Sequence, residues 1–463
     1  MPLIIQAKQR LASSPIPINQ TYVYLLSAVA ALGGVLFGFD LVIISGTLPF
    51  FPRHFGLSEA QIGWAVGCIN LGAAIGALLG GKLSEVWGRR ALLMACALLF
   101  ALTGPGTGWA ENFSSFIVFR LASGVAIGAA ALVCPMYIAE ITPASLRGRL
   151  VSFYQLSIVM GILLAYLSNY LLLNTGNNNW RWMFSVQAIP ALLFVAGLFF
   201  IAESPRWLMQ KGKDRQALAV LAQIGGQTYA QAVAQQIRGS FVQVSPLSVR
   251  ALFTHEFRPF LRLGVLVALF SQAVGQNSLF SYAPELFRQA GMGQDSAFFQ
   301  SIGIGLINLL FTFIAIHRIE TSGRKQLLIY GAGLLSVDAL ALAVAFYGHL
   351  PAIWVLLFVL AFIAIYSATL GPVTWVILSE IFPNRIRAGA MAVATLSLWV
   401  TNFLATASFP ILKSTLGLPV TFGIHAAICL IYFLFLKTAM TETKGKSLEE
   451  IDELFTRQKR FKA

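Results

Sequence analysis

Apolar runs of about 20 residues recur along the whole chain, and they limit what it can fold into. An α-helix needs about 20 apolar residues to cross the hydrocarbon core of a bilayer. Of the 463 residues, 57% are hydrophobic and only 11% are charged, whereas a soluble domain carries about 25% charged residues. The short alternating segments of a transmembrane β-barrel are absent from the sequence. The sequence therefore predicts an all-α membrane protein.

Hydropathy predicts about twelve transmembrane helices, which we number span 1 to span 12 in chain order. Because this number is even, both termini are expected on the same side of the membrane. The predicted spans lie at 22–51, 59–80, 91–110, 113–138, 147–173, 182–202, 259–289, 297–317, 325–347, 352–379, 386–410 and 418–438.

The formal net charge of +14 is concentrated on one side of this topology. Lysine and arginine cluster in the loops that follow the even-numbered spans. Such an excess is typical of cytoplasmic loops, so we expect a protein of the cell (inner or plasma) membrane with both termini in the cytoplasm. This distribution explains the basic composition without nucleic-acid binding. The exceptions on the other side are Arg53, Arg181, Arg288 and Lys413.

The sequence contains no pattern typical of an enzyme, a structural metal or an organic cofactor. Cys68, Cys96, Cys134 and Cys429 lie within predicted spans and form no CxxC pair, so we interpret them as buried hydrophobic residues. The His-Glu pair at 255–256 lacks the second histidine of an HExxH motif, and neither a P-loop nor a nucleophile elbow is present.

One long polar segment, 203–258, separates six spans from six. Its apolar positions favour short amphipathic helices on the cytoplasmic face over a plain linker. The predicted organisation is an N-terminal cytoplasmic segment (1–21), an N-terminal six-helix bundle (22–202), a cytoplasmic linker with short helices (203–258), a C-terminal six-helix bundle (259–438) and a cytoplasmic tail (439–463).

The two halves repeat one pattern of charges. "GGKLSEVWGRRALL" (80–93) after span 2 matches "IHRIETSGRKQLL" (316–328) after span 8, and "PMYIAEITPASLRGRLVSF" (135–153) after span 4 matches "WVILSEIFPNRIRAGAMAV" (375–393) after span 10. Such duplication is typical of transporters built from two bundles around a central site. Because acids contribute little to topology, their recurrence beside bases favours a cytoplasmic gate of ion pairs over charges that only fix orientation. The predicted gate residues are Glu85, Arg89, Arg90, Glu140, Arg147, Glu203, Arg206, Glu320, Arg324, Glu380 and Arg387.

Together with "ESPRWL" (203–208) and "TETKGKSLEEI" (441–451), these motifs resemble the sugar porter branch of the major facilitator superfamily. The resemblance covers most of the chain, with the motifs in the expected order. It implies two pseudo-symmetric six-helix bundles, a monosaccharide site between them and alternating access. Ala202 and Thr441 depart from the pattern, because the family often has proline at both positions.

One carboxylate, Asp40, lies in the middle of span 1, within "GVLFGFDLVIISG" (34–46). A charge in hydrocarbon costs at least about 2.5 kcal/mol, and Arg120 in span 4 is the only cation within the N-terminal spans to offset it. A carboxylate that loses its cation in an apolar site takes up a proton. Since a static buried ion pair is a poor stabiliser, we favour a proton-coupling pair. The resemblance agrees, because proton-driven sugar porters carry Asp here and an Arg partner in span 4, whereas passive facilitators often have Asn.

Span 7 contains three amides, Gln272, Gln276 and Asn277, beside Gly275. An amide both donates and accepts hydrogen bonds and therefore suits sugar hydroxyls, although amides also join helices in membranes. Three amides beside a glycine that permits a helix break favour a sugar site. The family pattern is Gln-Gln-x-x-Gly-x-Asn, from which this chain departs by Ser271 at the first position and by the extra amide of Gln276.

The resemblance alone supplies the remaining sugar-site residues. It implies amides in spans 5, 8 and 11 and aromatic side chains in spans 1, 10 and 11, with a bend of span 10 at Gly371-Pro372. Asp338 in span 9 and His425 in span 12 receive no role. The predicted substrate-binding residues are Phe37, Gln155, Gln272, Gln276, Asn277, Asn308, Trp375, Trp399 and Asn402.

These patterns predict a proton-coupled symporter of a hexose or pentose that works as a monomer in the lipid bilayer. Its partners are a small sugar and a proton, and the proton is the coupling ion with no other cofactor. Two alternatives stay open. A passive facilitator of the same fold is distinguished by uptake that survives a protonophore, and a sugar sensor is distinguished by binding without transport.

Overall fold

The computed structural model describes residues 18–241, 252–254, 257–383 and 386–440, without the side chains of 240, 241, 319–322 and 388. Helices dominate these residues, and no β-strand occurs among them. Eleven helical stretches of the described chain are long and apolar enough to cross a membrane, which confirms the predicted all-α membrane fold. They are Gln20–Thr47, Glu59–Trp87, Arg89–Gly108, Phe113–Ile141, Ala144–Leu172, Asn179–Phe200, Arg258–Gln289, Gln294–Arg318, Arg324–Tyr347, Ala352–Glu380 and Gly389–Ala439.

The last of these stretches contains two spans. The continuous helix Arg387–Ala439 has 53 residues, which at 1.5 Å per residue would be about 80 Å long. Gly417 interrupts it with φ 78° and ψ 163°, a conformation that glycine adopts far more readily than other residues. Spans 11 and 12 therefore lie on either side of Gly417, and the number of membrane passages is the predicted twelve.

Span 7 breaks where its sequence predicts. Its first half, Arg258–Ala273, and its second half, Gln276–Gln289, are separated at Gly275. Gly275 has φ +90°, and this left-handed conformation is strained for any residue with a Cβ atom. The break turns the second half of the span away from the direction of the first.

Span 10 breaks two residues before the predicted bend. Its halves are Ala352–Ala368 and Leu370–Glu380, and Thr369 between them has φ −129° and ψ −83°. Pro372 has no backbone N–H and cannot bond to the carbonyl group four residues earlier, at Ala368. The first half therefore ends at that carbonyl rather than at the proline itself.

Close helix contacts position span 1 within the N-terminal bundle. Gly38 faces span 5 so closely that a Cβ atom there would overlap the backbone oxygen of Ile158. Gly161 makes the reciprocal contact with the backbone of Val35. Because backbone meets backbone here, the side chain of Asp40, two residues after Gly38, has little freedom to move relative to the bundle.

Three helices occupy the described part of the polar segment between the bundles. The first is Pro205–Gln210, and the stretch Asp214–Phe241 contains the other two, which are separated by the non-helical residues Gly225 and Gly226. They pack together through Trp207, Leu208 and Leu221. The first 17 residues, 242–251, 255–256 and everything after residue 440 lie outside the described residues, and with them the motif at 441–451. The predicted domain boundaries stay a prediction.

The loops define two ends of the molecule. We call the end that carries the turns near residues 88, 142, 202, 323 and 383 the basic end. We call the end that carries the turns near residues 48–58, 109–112, 173–178, 290–293, 348–351 and 417 the opposite end.

Candidate functional site

Asp40 and Arg120 lie side by side in the interior of the N-terminal bundle. Each is 1% exposed, and Nη1 of Arg120 lies 2.6 Å from Oδ1 of Asp40. The guanidinium group also lies over the ring of Phe184, 5.8 Å from its centre. The structure thus brings together the two charged residues that the sequence paired, and it does so in an apolar environment where neither would be stable alone.

Two neutral side chains complete this acid cluster, which we define as Asp40, Arg120, Ser123 and Gln187. The hydroxyl of Ser123 donates to Oδ2 of Asp40, and Nε2 of Gln187 donates to the same oxygen over 3.2 Å. Three donors from spans 4 and 6 therefore converge on one carboxylate. Nε and Nη2 of Arg120 are buried without a hydrogen-bond partner in the described chain.

The sequence analysis missed Ser123 and Gln187. Gln187 carries a detectable signal, because it is an amide inside a span, as Gln155 is. Ser123 lies one helical turn after Arg120, but a serine in an apolar helix usually bonds its own backbone. The spacing alone therefore gave no reason to place it in the cluster.

The break in span 7 brings two of its predicted amides together. Nδ2 of Asn277 donates to Oε1 of Gln272 over 2.8 Å, and Nε2 of Gln272 lies 3.4 Å from Oγ of Ser271. Residues five apart in a continuous helix point to well-separated directions, so this contact depends on the interruption at Gly275. Gln276, the additional amide, is also largely buried.

The predicted aromatic residues differ in exposure. Phe37 of span 1 and Trp399 of span 11 form a tilted ring pair with centres 5.7 Å apart, and this pair joins the two bundles. Trp399 is 4% exposed, whereas Trp375 in the second half of span 10 is 41% exposed. The structure therefore packs Trp399 into the interface and leaves much of Trp375 uncovered.

The remaining predicted amides lie on three different spans. Asn308 of span 8 accepts a hydrogen bond from the hydroxyl of Ser367 in span 10 over 2.7 Å. Asn402 of span 11 donates to Asn70 of span 2 over 2.9 Å, a partner that the sequence analysis did not single out. Gln155 of span 5 is half-buried.

The predicted gate residues at the basic end form one tight ion pair in the N-terminal bundle. Nε and Nη2 of Arg89 donate to the two carboxylate oxygens of Glu140 over 3.0 and 2.9 Å. The hydroxyl of Ser204 donates to the same carboxylate over 2.5 Å. This bidentate geometry is the strong form of an arginine–carboxylate pair, and it joins spans 3 and 4.

The corresponding pair in the C-terminal bundle is looser. Nη2 of Arg324 lies 3.4 Å from Oε1 of Glu380, and it joins spans 9 and 10. Both pairs thus connect helices of a single bundle, and the role of these residues in a gate stays a prediction.

Glu203 caps the first turn of span 3. Its carboxylate accepts hydrogen bonds from the backbone N–H groups of Arg89, Arg90 and Ser204, at 3.0, 3.0 and 2.7 Å. The first N–H groups of a helix have no partner within the helix and attract negative charge. Burial nevertheless raises the pKa of Glu203 above its ordinary value of 4.5. The side chain of Arg90 donates to the backbone oxygen of Leu198 over 2.8 Å.

The other predicted gate residues do not take part in the two ion pairs described above. Glu85, Arg147 and Arg206 have exposed side chains. Arg387 donates to the backbone carbonyl five residues before it, over 3.1 and 3.2 Å. The side chain of Glu320 lies outside the described residues.

Three of the four exceptional cations meet at the opposite end. Arg53, Arg288 and Lys413 line a cavity of about 210 Å³ together with Glu59 and Glu285. Glu285 lies 3.6 Å from Arg288 and 3.7 Å from Lys413. Because acids accompany these cations, the cavity does not concentrate positive charge at that end.

Comparison with known proteins identifies the family. The family model described as "Sugar (and other) transporter" matches residues 26–455. The chain belongs to the sugar porter family of the major facilitator superfamily. As a sugar porter it is a transporter and not an enzyme.

The curated relatives of this sugar porter align along nearly their whole length. It is 36% identical over 441 residues to the arabinose-proton symporter of Bacillus subtilis (strain 168), with 94% of this chain and 95% of that protein covered. It is 37% identical over 475 residues to the D-xylose-proton symporter of Escherichia coli (strain K12), with 94% of this chain and 96% of that protein covered.

Solved structures of the xylose transporter XylE from E. coli match this sugar porter in fold. The inward open conformation gives a TM-score of 0.85 at 36% identity, covering 94% of this chain and 100% of that chain. XylE bound to 6-bromo-6-deoxy-D-glucose gives a TM-score of 0.77 at 36% identity, covering 94% and 99%. The predicted major facilitator fold is therefore confirmed.

Proposed function

We propose that this sugar porter carries a monosaccharide together with a proton across the cell membrane, with Asp40 as the proton-binding group. The observation that carries the proposal is the buried acid cluster, in which a titratable carboxylate of span 1 depends on a cation of span 4. The arabinose-proton and xylose-proton symporters named among its relatives support the same class of transport.

Coupling follows from the two environments that Asp40 can have. In one environment the carboxylate has a cationic partner, because Nη1 of Arg120 lies 2.6 Å from its Oδ1. If the bundle moves so that span 4 withdraws, the carboxylate keeps its apolar surroundings and loses its cation, and protonation then becomes the less costly state. A proton binds in one arrangement and leaves in the other, so its transmembrane gradient biases the cycle.

The sugar is proposed to bind against the broken span 7 and its neighbours. Gln272 and Asn277 meet at the break, and Asn308 lies on span 8 beside Ser367 of span 10. All three side chains are neutral and offer both donors and acceptors, which match sugar hydroxyls. A phosphorylated or acidic sugar would require Arg or Lys beside these amides, and the described side chains that bond to them carry no charge. We therefore propose an uncharged pentose or hexose.

The structure has its two bundles in contact toward the opposite end. Besides the bond between Asn70 and Asn402, the hydroxyl of Tyr166 donates to the backbone oxygen of Phe280 over 2.8 Å, and Asn174 donates to Asp295 over 3.2 Å. Each bond crosses from the N-terminal to the C-terminal bundle. We propose that the basic end faces the cytoplasm and that this is an outside-closed state, and the higher TM-score with the inward open form of XylE supports this proposal.

Uptake into proteoliposomes tests the coupling. With a proton gradient, we expect the parent protein to accumulate a radiolabelled pentose or hexose and a protonophore to abolish the accumulation. Asp40→Asn should lose accumulation but keep exchange of sugar between the two sides, because exchange needs no net proton movement. Asp214→Asn is the matched control, since Asp214 pairs with Arg238 on the exposed surface of the linker.

The outcomes separate the alternatives. Uphill uptake by Asp40→Asn would contradict the role of Asp40. Uptake by the parent protein that ignores the protonophore would identify a passive facilitator, and sugar binding without any exchange would identify a sensor.

The sugar itself is identified by a binding screen of pentoses and hexoses in detergent, read as a thermal shift. Gln272→Ala removes the acceptor of Asn277 and one amide of the site, and loss of one such hydrogen bond corresponds to about tenfold weaker binding. Gln223→Ala on the exposed face of the linker helix is the control. Unchanged affinity in Gln272→Ala would place the sugar elsewhere.

A further inference from the structure

A seam of small residues joins spans 2 and 11 on the side of the opposite end. A Cβ atom on Gly63 would overlap the backbone oxygen of Ala407, and one on Gly67 would lie 3.0 Å from the side chains of Ala407 and Phe403. The two helices therefore touch backbone to backbone. Because span 2 belongs to the N-terminal bundle and span 11 to the C-terminal bundle, this contact exists only while the bundles are together here.

Asn70 lies on this seam, one to two turns nearer the middle of the membrane. Its Oδ1 accepts a hydrogen bond from Nδ2 of Asn402 over 2.9 Å, and its own Nδ2 lies 3.3 Å from Oγ1 of Thr406. All three side chains are at most 2% exposed. Asn70 is thus the partner, supplied by the other bundle, of a residue predicted to bind sugar.

In this arrangement only the nitrogen of the Asn402 side-chain amide has a hydrogen-bond partner among the described residues. Its Oδ1 is buried and has no hydrogen-bond partner in the described part of the chain. An unpaired buried carbonyl is costly, and a sugar hydroxyl is a donor that would satisfy it. Trp399 lies three residues earlier on the same face of span 11 and contacts Phe37, so Asn402 lies next to the aromatic pair that joins the bundles.

We propose that Asn70 is a positioning residue that makes the affinity for sugar depend on whether this seam is closed. The proposal rests on the proposed function. With the seam closed, Oδ1 of Asn70 occupies one of the two N–H donors of Asn402, so Asn402 offers a sugar one donor fewer. With the seam open, both N–H donors and the carbonyl oxygen of Asn402 are available to neighbouring hydroxyls.

A consequence for the transport cycle follows from this exchange of partners. Sugar that enters from the opposite end meets Asn402 while all of its amide hydrogen-bonding groups are available. Closure of the seam behind it withdraws one hydrogen bond, which weakens binding by about tenfold. The more weakly bound sugar then leaves toward the basic end. Asn70 therefore favours release of the sugar on the side where the site has opened.

The test is the affinity for D-xylose, L-arabinose and D-glucose, measured by isothermal titration of the full-length protein in detergent. Asn70→Leu keeps the approximate size of the side chain and removes its hydrogen bonds, so Asn402 is no longer occupied in the closed state. We expect binding of the accepted sugar to tighten by about three- to tenfold, and net release from preloaded proteoliposomes to slow. If the leucine variant does not fold, Asn70→Ala replaces it in the same measurement, because it also removes the side-chain hydrogen bonds of Asn70.

A double-mutant cycle separates this role from simple loosening of the seam. In an Asn402→Leu background, Asn70→Leu should leave the affinity unchanged, because its effect acts through Asn402. A tighter affinity that persists in that background would show that the substitution only opens the seam, and it would overturn the proposal. Thr406→Val, which removes the other bond of Asn70 at the seam, should change the affinity less than twofold.

The remaining outcomes are also distinguishable. Unchanged affinity in Asn70→Leu, with normal binding by the parent protein, overturns the role of Asn70 and leaves sugar transport intact. If the parent protein binds none of the three sugars or any other neutral monosaccharide, the proposed function fails and the role of Asn70 fails with it. Loss of proton coupling alone does not affect this inference.

Discussion

Spans 1 and 7 are the first helices of the two bundles, and each carries a glycine two residues before a polar side chain. In span 1 these are Gly38 and Asp40, and in span 7 they are Gly275 and Asn277. The helix of span 1 runs unbroken through Gly38. Span 7 breaks at Gly275, which has φ +90°. The same spacing therefore has two different structural consequences.

The two glycines are needed for different reasons. Gly38 has a helical backbone and is required because span 5 approaches it too closely for any Cβ atom. Gly275 is required by its own left-handed conformation, and the break that it allows brings Gln272 and Asn277 together. The continuous helix of span 1 places one carboxylate against span 4, whereas the broken helix of span 7 brings two amides of the same span together. The charged pair and the neutral amides therefore depend on their glycines in different ways.

Removing the cation of the N-terminal bundle should produce the largest effect. Arg120→Gln removes the cation of Asp40, which must then either stay buried as an unpaired charge or take up a proton, and breaking a buried pair from one side costs about 3–5 kcal/mol. The loss should appear as a strongly lowered midpoint of thermal unfolding in detergent. Gln272→Ala, the amide counterpart in the C-terminal bundle, should cost about 1 kcal/mol.

A double variant shows whether charge is the cause. In Asp40→Asn/Arg120→Gln both side chains are neutral and can still bond to each other, so most of the stability lost by the single variant should return. If Arg120→Gln unfolds at the same temperature as the parent protein, the contrast between the charged pair of span 1 and the neutral amides of span 7 is wrong.

Gly275→Ala tests whether the break in span 7 depends on a left-handed glycine. A left-handed backbone costs an L-residue about 1–2 kcal/mol. In addition, the new Cβ atom would overlap the ring of His425 in span 12, and overpacking typically costs about 1–3 kcal/mol. We expect a lower unfolding midpoint and weaker sugar binding, because residues 272 and 277 lose their alignment.

Two further variants divide this cost into its parts. Adding His425→Ala should recover the part due to the ring and leave the part due to the backbone. Gly293→Ala is the control, since Gly293 has φ −62° and open space around its Cα atom. Full recovery in the double variant would mean that the dihedral angle imposes no strain.

The sequence alone was sufficient to predict those structural features that depend on a single helix or on composition. Hydropathy located the twelve spans, and Gly275 predicted its own break. The pairing of Asp40 with Arg120 followed because the N-terminal spans contain one acid and one base in their interiors. Each of these inferences needs no knowledge of how the helices are rotated.

Features that depend on helix rotation could not be predicted in this way. Asn70 bonds to a residue 332 positions away in the chain, and Gln187 bonds to one 147 positions away. A neutral polar residue in an apolar span gives no indication of which neighbour it faces. The exposure of Trp375 was unpredictable for the same reason, because the break at Thr369 sets the direction of the half-helix that carries it.

The two ion pairs at the basic end allow the finest comparison between the bundles. Arg89 and Glu140 have side chains that are 7% and 9% exposed, with a contact of 2.9 Å. Arg324 and Glu380 are 18% and 22% exposed, with a contact of 3.4 Å. Hydrogen bonds to charged groups that are buried contribute about 1.5–3 kcal/mol, whereas exposed pairs contribute about 0–1 kcal/mol. The half-buried pair of Arg324 and Glu380 is expected to lie between these two cases.

We therefore expect Glu140→Gln to destabilise the protein by about 1–2 kcal/mol more than Glu380→Gln. The measurement is the unfolding midpoint of the two matched variants in the same detergent. Raising the salt concentration should reduce the effect of Glu380→Gln more strongly, because water and ions reach the looser pair more easily. Equal losses with equal salt dependence would show that the repeated motifs act identically in both bundles, and the asymmetry would then be confined to the centre of the membrane.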